Sequence, residues 1–360
     1  MIDGGDLALF RETLRQATAR HTSTALDAAL ADLGWPDALA ADPHAAVSLL
    51  FELQGAANAT STALHRVLAA ALGHPEAVVV LPALGRRDAP GTLDGNRLDV
   101  HGLALAANPP DVRGPELAAN PPDGRGRELA ANPPEARGLA GDGDAYRLAP
   151  AGAREAGSVL VVARAGGSDV AVEVATDALA WHPVRGIDPT LGLVEVTGQI
   201  GGAVGRGPVD WPAAVARGQL ALGHELAGAS RRVLDLARDH ALVRIQFGRP
   251  IAMFQAVRHR LAETLVAVEA AGAVLDEAWE DGTAQAAGMA KATAGRSARV
   301  AVRHCQQVLA GIGFTTEHPF HRYARRILVL EQLLGSTRAL TRELGEGILA
   351  RRELPAPFPL

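Results

Sequence analysis

The chain has 360 residues, 48% of them hydrophobic, and a formal net charge of −5. That is enough apolar sequence for two or three packed layers or domains. The lack of any long basic run argues against a nucleic-acid surface. A single cysteine, Cys305, excludes an internal disulfide, no His/Cys spacing suggests a metal site, and no apolar run approaches the ~20 residues of a membrane span.

The opening text, MIDGGDLALFRETLRQ, is acidic and amphipathic and lacks the basic and apolar regions of a secretory signal. The expectation is a cytoplasmic protein. Leu7, Phe10, Leu14 and Ala17 recur at helical spacing, and the alanine-rich stretch 45–72, ending at Gly73-His74-Pro75, predicts one long, mostly buried helix. Together these predict an N-terminal helical domain over residues 1–75.

From residue 76 the pattern changes. Short β-type runs, AVVVLP (77–82), RLDVHGL (97–103), SVLVVAR (158–164), DVAVEVA (169–175) and LGLVEVTG (191–198), are punctuated by Gly, Pro and Asp. They predict a middle antiparallel β-domain over 76–204. Within it LAANPP recurs from Leu105, Leu117 and Leu129, a period of 12 residues. A unit with a Pro-Pro pair and an Arg-Gly has too little apolar surface to stack, so 105–138 is expected to be an extended, mobile surface loop rather than a solenoid.

Residues 205–352 read as a C-terminal bundle of four helices, over 210–243, 251–281, 284–310 and 320–351, with Gly248-Arg249-Pro250, Asp281-Gly282 and Ala310-Gly311-Ile312-Gly313 as breaks. Residues 353–360 form a proline-rich tail. The fold class is α+β: helices, then a β-domain, then a four-helix bundle.

Two motifs stand in this last third, VRIQFGRPIAMFQAVRHRLAE (243–263) and QVLAGIGFTTEHPFHRYARR (307–326). In the first, Arg244 and Arg249 flank a corner made by Phe247, Gly248 and Pro250. A guanidinium fork suits a diphosphate, and Phe247 offers a face to a ring system. In the second, Ala310, Gly311 and Gly313 leave a surface with few side chains beside Gln307, open to close ligand approach.

This pair closely resembles the C-terminal domain of the acyl-CoA dehydrogenases. The resemblance is strong over 205–350, fair over 45–105 and weak between, and the zone order agrees with that family's fold. It implies FAD as cofactor and desaturation of an acyl-CoA thioester. It also implies that Arg244, Gln246 (often Thr in the family), Phe247, Gln307 and Gly311 reach the FAD of a neighbouring subunit.

The resemblance also marks what is missing. The family's carboxylate base stands 27 residues beyond the second-motif Gln, where this chain has Leu334, or 26 residues before the first-motif Arg, where it has Gly218. Neither can accept a proton. Glu331, one turn before Leu334, and Glu225 are the carboxylates nearest in sequence, and each reads more simply as a structural helix residue. The family's Thr-Glu-Pro…Gly-Ser-Asp segment, which contacts flavin and thioester, is replaced by LPALGRRDAPG (81–91). Loss of the base and of the chain's own flavin contacts, with retention of the contacts to a neighbour's FAD, implies a division of labour. The chain is expected to be the non-catalytic half of an α2β2 acyl-CoA dehydrogenase, resembling partner subunits of steroid-degrading actinobacterial enzymes, and to share FAD with a second subunit that carries the Glu. The alternatives are a homomeric enzyme with a relocated base, or a flavin-free protein on the same scaffold.

Overall fold

The computed structural model describes residues 4–106, 149–203, 205 and 207–352. The LAANPP repeat, apart from Leu105 and Ala106, and the tail from 353 lie outside them. Among the described residues no helix is long and apolar enough to cross a membrane, and no cluster of His, Cys, Asp and Glu could hold a metal ion.

The N-terminal domain consists of α1 (Gly4–Arg20), α2 (Thr24–Asp32), α3 (Trp35–Ala41), α4 (Pro43–Ala57) and α5 (Ala63–Ala71). The single helix expected over 45–72 is two. Asn58 closes α4 in the left-handed region at φ 54°, and the hydroxyl-rich link that follows cannot carry a helix cheaply, because Ser and Thr compete for backbone partners. The Ser61 hydroxyl is bound to Gln54 at 2.6 Å, and the Thr62 amide donates to Asp27 at 2.8 Å.

The middle domain is an eight-stranded sheet: β1 (Leu81–Pro82), β2 (Gly91–Asp94), β3 (Arg97–Leu105), β4 (Ser158–Ala165), β5 (Ser168–Ala175), β6 (Ala180–Pro183), β7 (Leu193–Gly201) and β8 (Gly207–Pro208). The spatial order is β6-β7-β3-β2-β4-β5-β8, with β1 also on β3. The pairings are antiparallel save one. Gly91 and Thr92 of β2 run parallel to Ala163 and Arg164 of β4, because the two strands are far apart in sequence and no tight turn sets their direction. Strand β4 is apolar on both faces. Leu160 and Val162 join the large core shared with the helices, while Val159, Val161 and Ala163 join a second core around Trp181. A short helix, α6 (Ala151–Ala156), contributes Ala153 to that second core.

The C-terminal bundle contains α7 (Trp211–Val243), α8 (Gln255–Asp281), α9 (Ala284–Leu309), α10 (Phe320–Leu330) and α11 (Thr337–Arg351). Asp210 caps α7 through the Ala213 amide, and Thr283 caps α9 through the Ala286 amide. Helix α7 runs against α4 at backbone distance. A Cβ at Gly228 would lie 2.0 Å from the Glu52 carbonyl oxygen, and one at Gly55 2.0 Å from that of Glu225, so only glycine fits this crossing.

The segment expected as one helix over 320–351 breaks at Leu334 (φ 54°) and Gly335 (φ 101°). The break is held by side chains. Lys291, fully buried on α9, donates to the Glu331 carbonyl at 3.0 Å, Glu331 Oε1 accepts from the Thr337 amide at 2.7 Å, and Ser336 caps α11. Burial pulls the Lys291 ammonium down to about 8, against the pull of Glu331.

One buried cluster joins all three parts. Arg326 on α10 is 1% exposed and pairs with Asp188 of the loop between β6 and β7. It also donates to the Ala59 carbonyl at 2.9 Å and to the Thr60 hydroxyl at 3.0 Å, both in the link after α4. Glu225 of α7 lies within the field of this pair, 2% exposed, with one carboxylate oxygen lacking any partner. Burial pushes its carboxyl from the ordinary 4.5 up to about 7, although Arg326 and Gln54 favour the charged form.

A carboxyl with a raised folded-state pKa makes stability fall with rising pH. Between 4.5 and about 7 the folded chain keeps a proton that the unfolded chain has lost, and above that window the penalty is constant. Glu225→Gln should therefore leave stability at pH 5 nearly unchanged and raise it at pH 8, by up to about 3 kcal/mol. Urea midpoints at the two pH values measure this. An unchanged pH slope in the variant would show that Glu225 titrates normally.

Candidate functional site

The first motif joins α7 to α8 as expected, and its link is a β-hairpin. β9 (Ile245–Gln246) pairs with β10 (Arg249–Pro250) across a two-residue turn whose central residues, Phe247 and Gly248, both have positive φ, 53° and 76°. Glycine takes this conformation freely. Phenylalanine does not, and Phe247 is also 92% exposed. Its ring meets only the edge of Phe254, at 6.0 Å between centroids, and the Arg249 guanidinium stacks on that same Phe254 at 4.4 Å. Arg249 is thus occupied within the chain. Arg244, exposed at the end of α7, makes no ion pair among the described residues, and the Gln246 amide reaches only the Ile245 carbonyl. Leu242, Val243, Ile245 and Met253 surround the hairpin and are each more than half exposed.

The second motif ends α9 and turns through a 3₁₀ segment, Ala310–Phe314. Gln307 and Gly311 line an open groove of about 980 Å³. Three residues not singled out from the sequence line it with them: Arg296, Arg299 and Arg303. Their spacing, continued by Gln307, puts them on one face of α9, and that periodicity was the available signal. None of the three has a carboxylate partner among the described residues, and no acidic side chain lines the groove. Thr337 lies at its edge with its hydroxyl oxygen buried and unpartnered.

Arg244, Gln246 and Phe247 do not line this groove. Burial, then repulsion from His240 and His321, holds the His318 imidazole below its usual range, and burial and Arg244 act likewise on His240. His318, in the turn after the groove, therefore lies within electrostatic range of His240 near the end of α7.

The two positions that the resemblance assigns to a base come together in the core. A Cβ at Gly218 would lie 2.4 Å from Leu334 Cδ1 and 3.1 Å from Leu68 Cδ2, so the Leu334 side chain fills the space over Gly218. Leu334 is 1% exposed, and its carbonyl accepts from Gln219 at 2.9 Å. Glu331 does not face this contact. Its carboxylate is bound to the Thr337 amide and the Gln332 side chain, beside Gly295. Glu225 lies two turns further along α7, in the Arg326 cluster. The 81–91 loop is tied down against the bundle. The Gly85 amide donates to the Gln332 carbonyl at 2.9 Å, Trp211 Nε1 donates to the Arg87 carbonyl at 3.0 Å, and Arg87 pairs with Glu343.

The residues therefore fit one end of an FAD. A groove with unpaired guanidiniums and a bare glycine edge suits a diphosphate, whereas the region around Gly218 and Leu334 is packed carbon.

The packing predicts a coupling. Gly218→Ala should destabilise the chain by about 1–3 kcal/mol through overpacking. Combined with Leu334→Ala it should cost much less than the sum of the two changes. Thermal denaturation of both single variants and the double variant tests this, and strict additivity would mean that the two residues do not share one space.

Residues 212–349 match the family described as acyl-CoA dehydrogenase, C-terminal domain. The chain is similar to acyl-CoA dehydrogenase IpdE2 of Mycobacterium tuberculosis, 39% identical over 123 residues that cover 34% of this chain and 39% of that protein. The match thus spans well under half of that relative's length. Among solved structures, the Tcur3481-Tcur3483 steroid ACAD aligns over 97% of this chain and 99% of its own, with TM-score 0.72 and 20% identity. The ChsE4-ChsE5 complex from Mycobacterium tuberculosis aligns over 98% and 97%, with TM-score 0.67 and 20% identity. At that identity the structures speak for the fold. Residues 212–349 thus match the acyl-CoA dehydrogenase C-terminal domain, within a chain whose fold is that of acyl-CoA dehydrogenase structures.

Proposed function

We propose that this chain is the non-catalytic subunit of a heteromeric, FAD-dependent acyl-CoA dehydrogenase, an α2β2 assembly in which it completes the FAD site of a partner carrying the catalytic Glu. The observation that carries this reading is the contrast between two regions. Leu334 and Gly218 face each other in closed apolar packing, while Arg244 and Phe247 stand exposed at the hairpin among exposed apolar side chains, and Gln307 and Gly311 line an open groove with unpaired arginines. Such a surface, aromatic and arginine-rich with a depleted acidic content, has the make-up of an interface core. Among similar structures are a complex of ChsE4 with ChsE5 and a steroid ACAD, which supports an unlike partner and an acyl-CoA from steroid side-chain degradation.

When bound, FAD supplies the hydride acceptor for desaturation of the thioester. This chain's residues contribute binding. Arg244 offers a charge-assisted contact to the diphosphate, Phe247 a ring face, and Gln307 an amide beside the bare backbone of Gly311. The positive φ of Phe247 aims its ring outwards, where only a partner or ligand can cover it. The homomeric alternative with Glu331 as base is disfavoured because that carboxylate already accepts the first amide of α11.

In the complex co-purified with its catalytic partner, Arg244→Ala should lower FAD content and activity, with affinity reduced roughly ten- to a hundredfold. Gln307→Ala should act in the same direction more weakly, and Leu334→Ala should leave FAD bound. Flavin absorbance per complex is the readout. Full flavin content and full rate in Arg244→Ala would refute the shared site and favour a flavin-free scaffold.

Leu334→Glu tests the other half. It places a carboxylate against Gly218, Leu64 and Leu68, so it should lower the melting temperature and add no turnover. A gain in turnover would mean that this chain holds a working site of its own.

A further inference from the structure

A second cleft, of about 660 Å³, opens where the three parts of the molecule meet. Its walls are the end of α1 with the turn to α2, the link after α4, the loop that carries Asp188 and Thr190, and the outer face of α10. The floor is the Asp188–Arg326 pair, with the guanidinium also bound by the Ala59 carbonyl and the Thr60 and Thr190 hydroxyls. Among the described residues Asp188 is the only carboxylate lining the cleft, and it is already neutralised.

The rim is cationic. Arg20, Arg322 and Arg325 are exposed at its edge, and none has a carboxylate within ion-pair distance among the described residues. His21 and His321 stand beside them. Across the chain Asp and Glu outnumber Arg and Lys by 40 to 35, so three uncompensated arginines around one concavity run against the overall balance. Helix α2 also begins here, at Ser23, with no side-chain cap on its first turn, which adds the positive end of a helix dipole.

A further observation points to a missing ligand. Asn58 lines the cleft in a left-handed backbone conformation, and its side-chain oxygen is buried without a donor. Buried polar atoms ordinarily find partners. Rotation of this side chain would present the oxygen to the cleft, where a molecule carrying both negative charge and hydroxyl or amine donors would meet it and the arginines together.

We propose that this cleft is a binding site for a phosphate-bearing organic anion, with Arg20, Arg322 and Arg325 holding its charge and Asn58 accepting from its donor. The site is separate from the α9 groove and does not depend on the shared-FAD reading. Guanidinium forks pair with phosphate oxygens in bidentate geometry, and a cleft with walls of low polarisability strengthens that field.

The test is calorimetric titration of the full chain, at constant ionic strength, with sodium phosphate, pyrophosphate and coenzyme A in turn. Saturable binding is expected, tightest for coenzyme A, which brings donors with its phosphates. The double variant R322E/R325E should weaken it by about tenfold or more, and Arg20→Gln, a milder change should the reversal impair folding, by less. Arg296→Glu, in the other groove, should leave intact the component of binding that R322E/R325E removes. Equal binding of coenzyme A and pyrophosphate would keep the anion site but assign it to inorganic phosphates, against the role of Asn58. Absence of saturable binding, or binding lost in Arg296→Glu and kept in R322E/R325E, would overturn the proposal.

Discussion

The Arg326 guanidinium is the point on which the arrangement of the three parts depends. A charge buried to this degree is tolerable only when it is paired and hydrogen-bonded, and the partners come from two places far apart in the sequence: a carboxylate and a hydroxyl after β6, and a carbonyl and a hydroxyl after α4. Apolar contact between domains allows sliding, whereas this set of bonds is satisfied in one relative placement. Breaking one bond would strand a charge in a dry interior, which makes the junction cooperative. Glu225 shows the cost of adding another acid to such a place: the electrostatic field favours its charge, yet burial prevails.

From that fixed junction the bundle holds two unlike regions, one closed and one open. Around Gly218 and Leu334, side chains fill the interior, and Leu334 accepts an unfavourable backbone conformation to do so. At the hairpin and the α9 groove the opposite holds, with arginines unpaired and Phe247 held out in water. Both features carry strain, but one is relieved by packing within the chain and the other is not. Strain left unrelieved on a surface is a reason to look for a partner.

Much of this was legible in the sequence because the long helices and long strands have strong periodicity. Helices α7, α8 and α9 and strands β3, β4, β5 and β7 announce themselves by spacing and by Gly or Pro stops. The breaks at Asn58 and Leu334 were not legible, since each interrupts an apolar helical pattern and is paid for by distant partners, such as Asp27 for one and Lys291 for the other. Strands β2, β6 and β8 are too short for alternation to register, and the parallel contact of β2 with β4 depends on tertiary placement alone. Among site residues, the motifs pointed to Arg244 and Gln307, but Arg296, Arg299 and Arg303 became visible only as the wall of a groove. An arginine on a helix face carries no mark of whether an acid lies opposite. Arg249 illustrates the reverse, since its stacking on Phe254 follows from the hairpin and not from the text.

Lys291 is the single lysine of the chain, and it is fully buried as the cap of α10. Every other basic side chain apart from the histidines is an arginine. Guanidinium stays protonated and non-nucleophilic at any ordinary pH, so the described surface offers activated thioesters no side-chain amine to acylate. A surface of this composition escapes the slow, uncatalysed acylation to which lysine-rich surfaces are exposed, and its charge would not drift as a thioester accumulates.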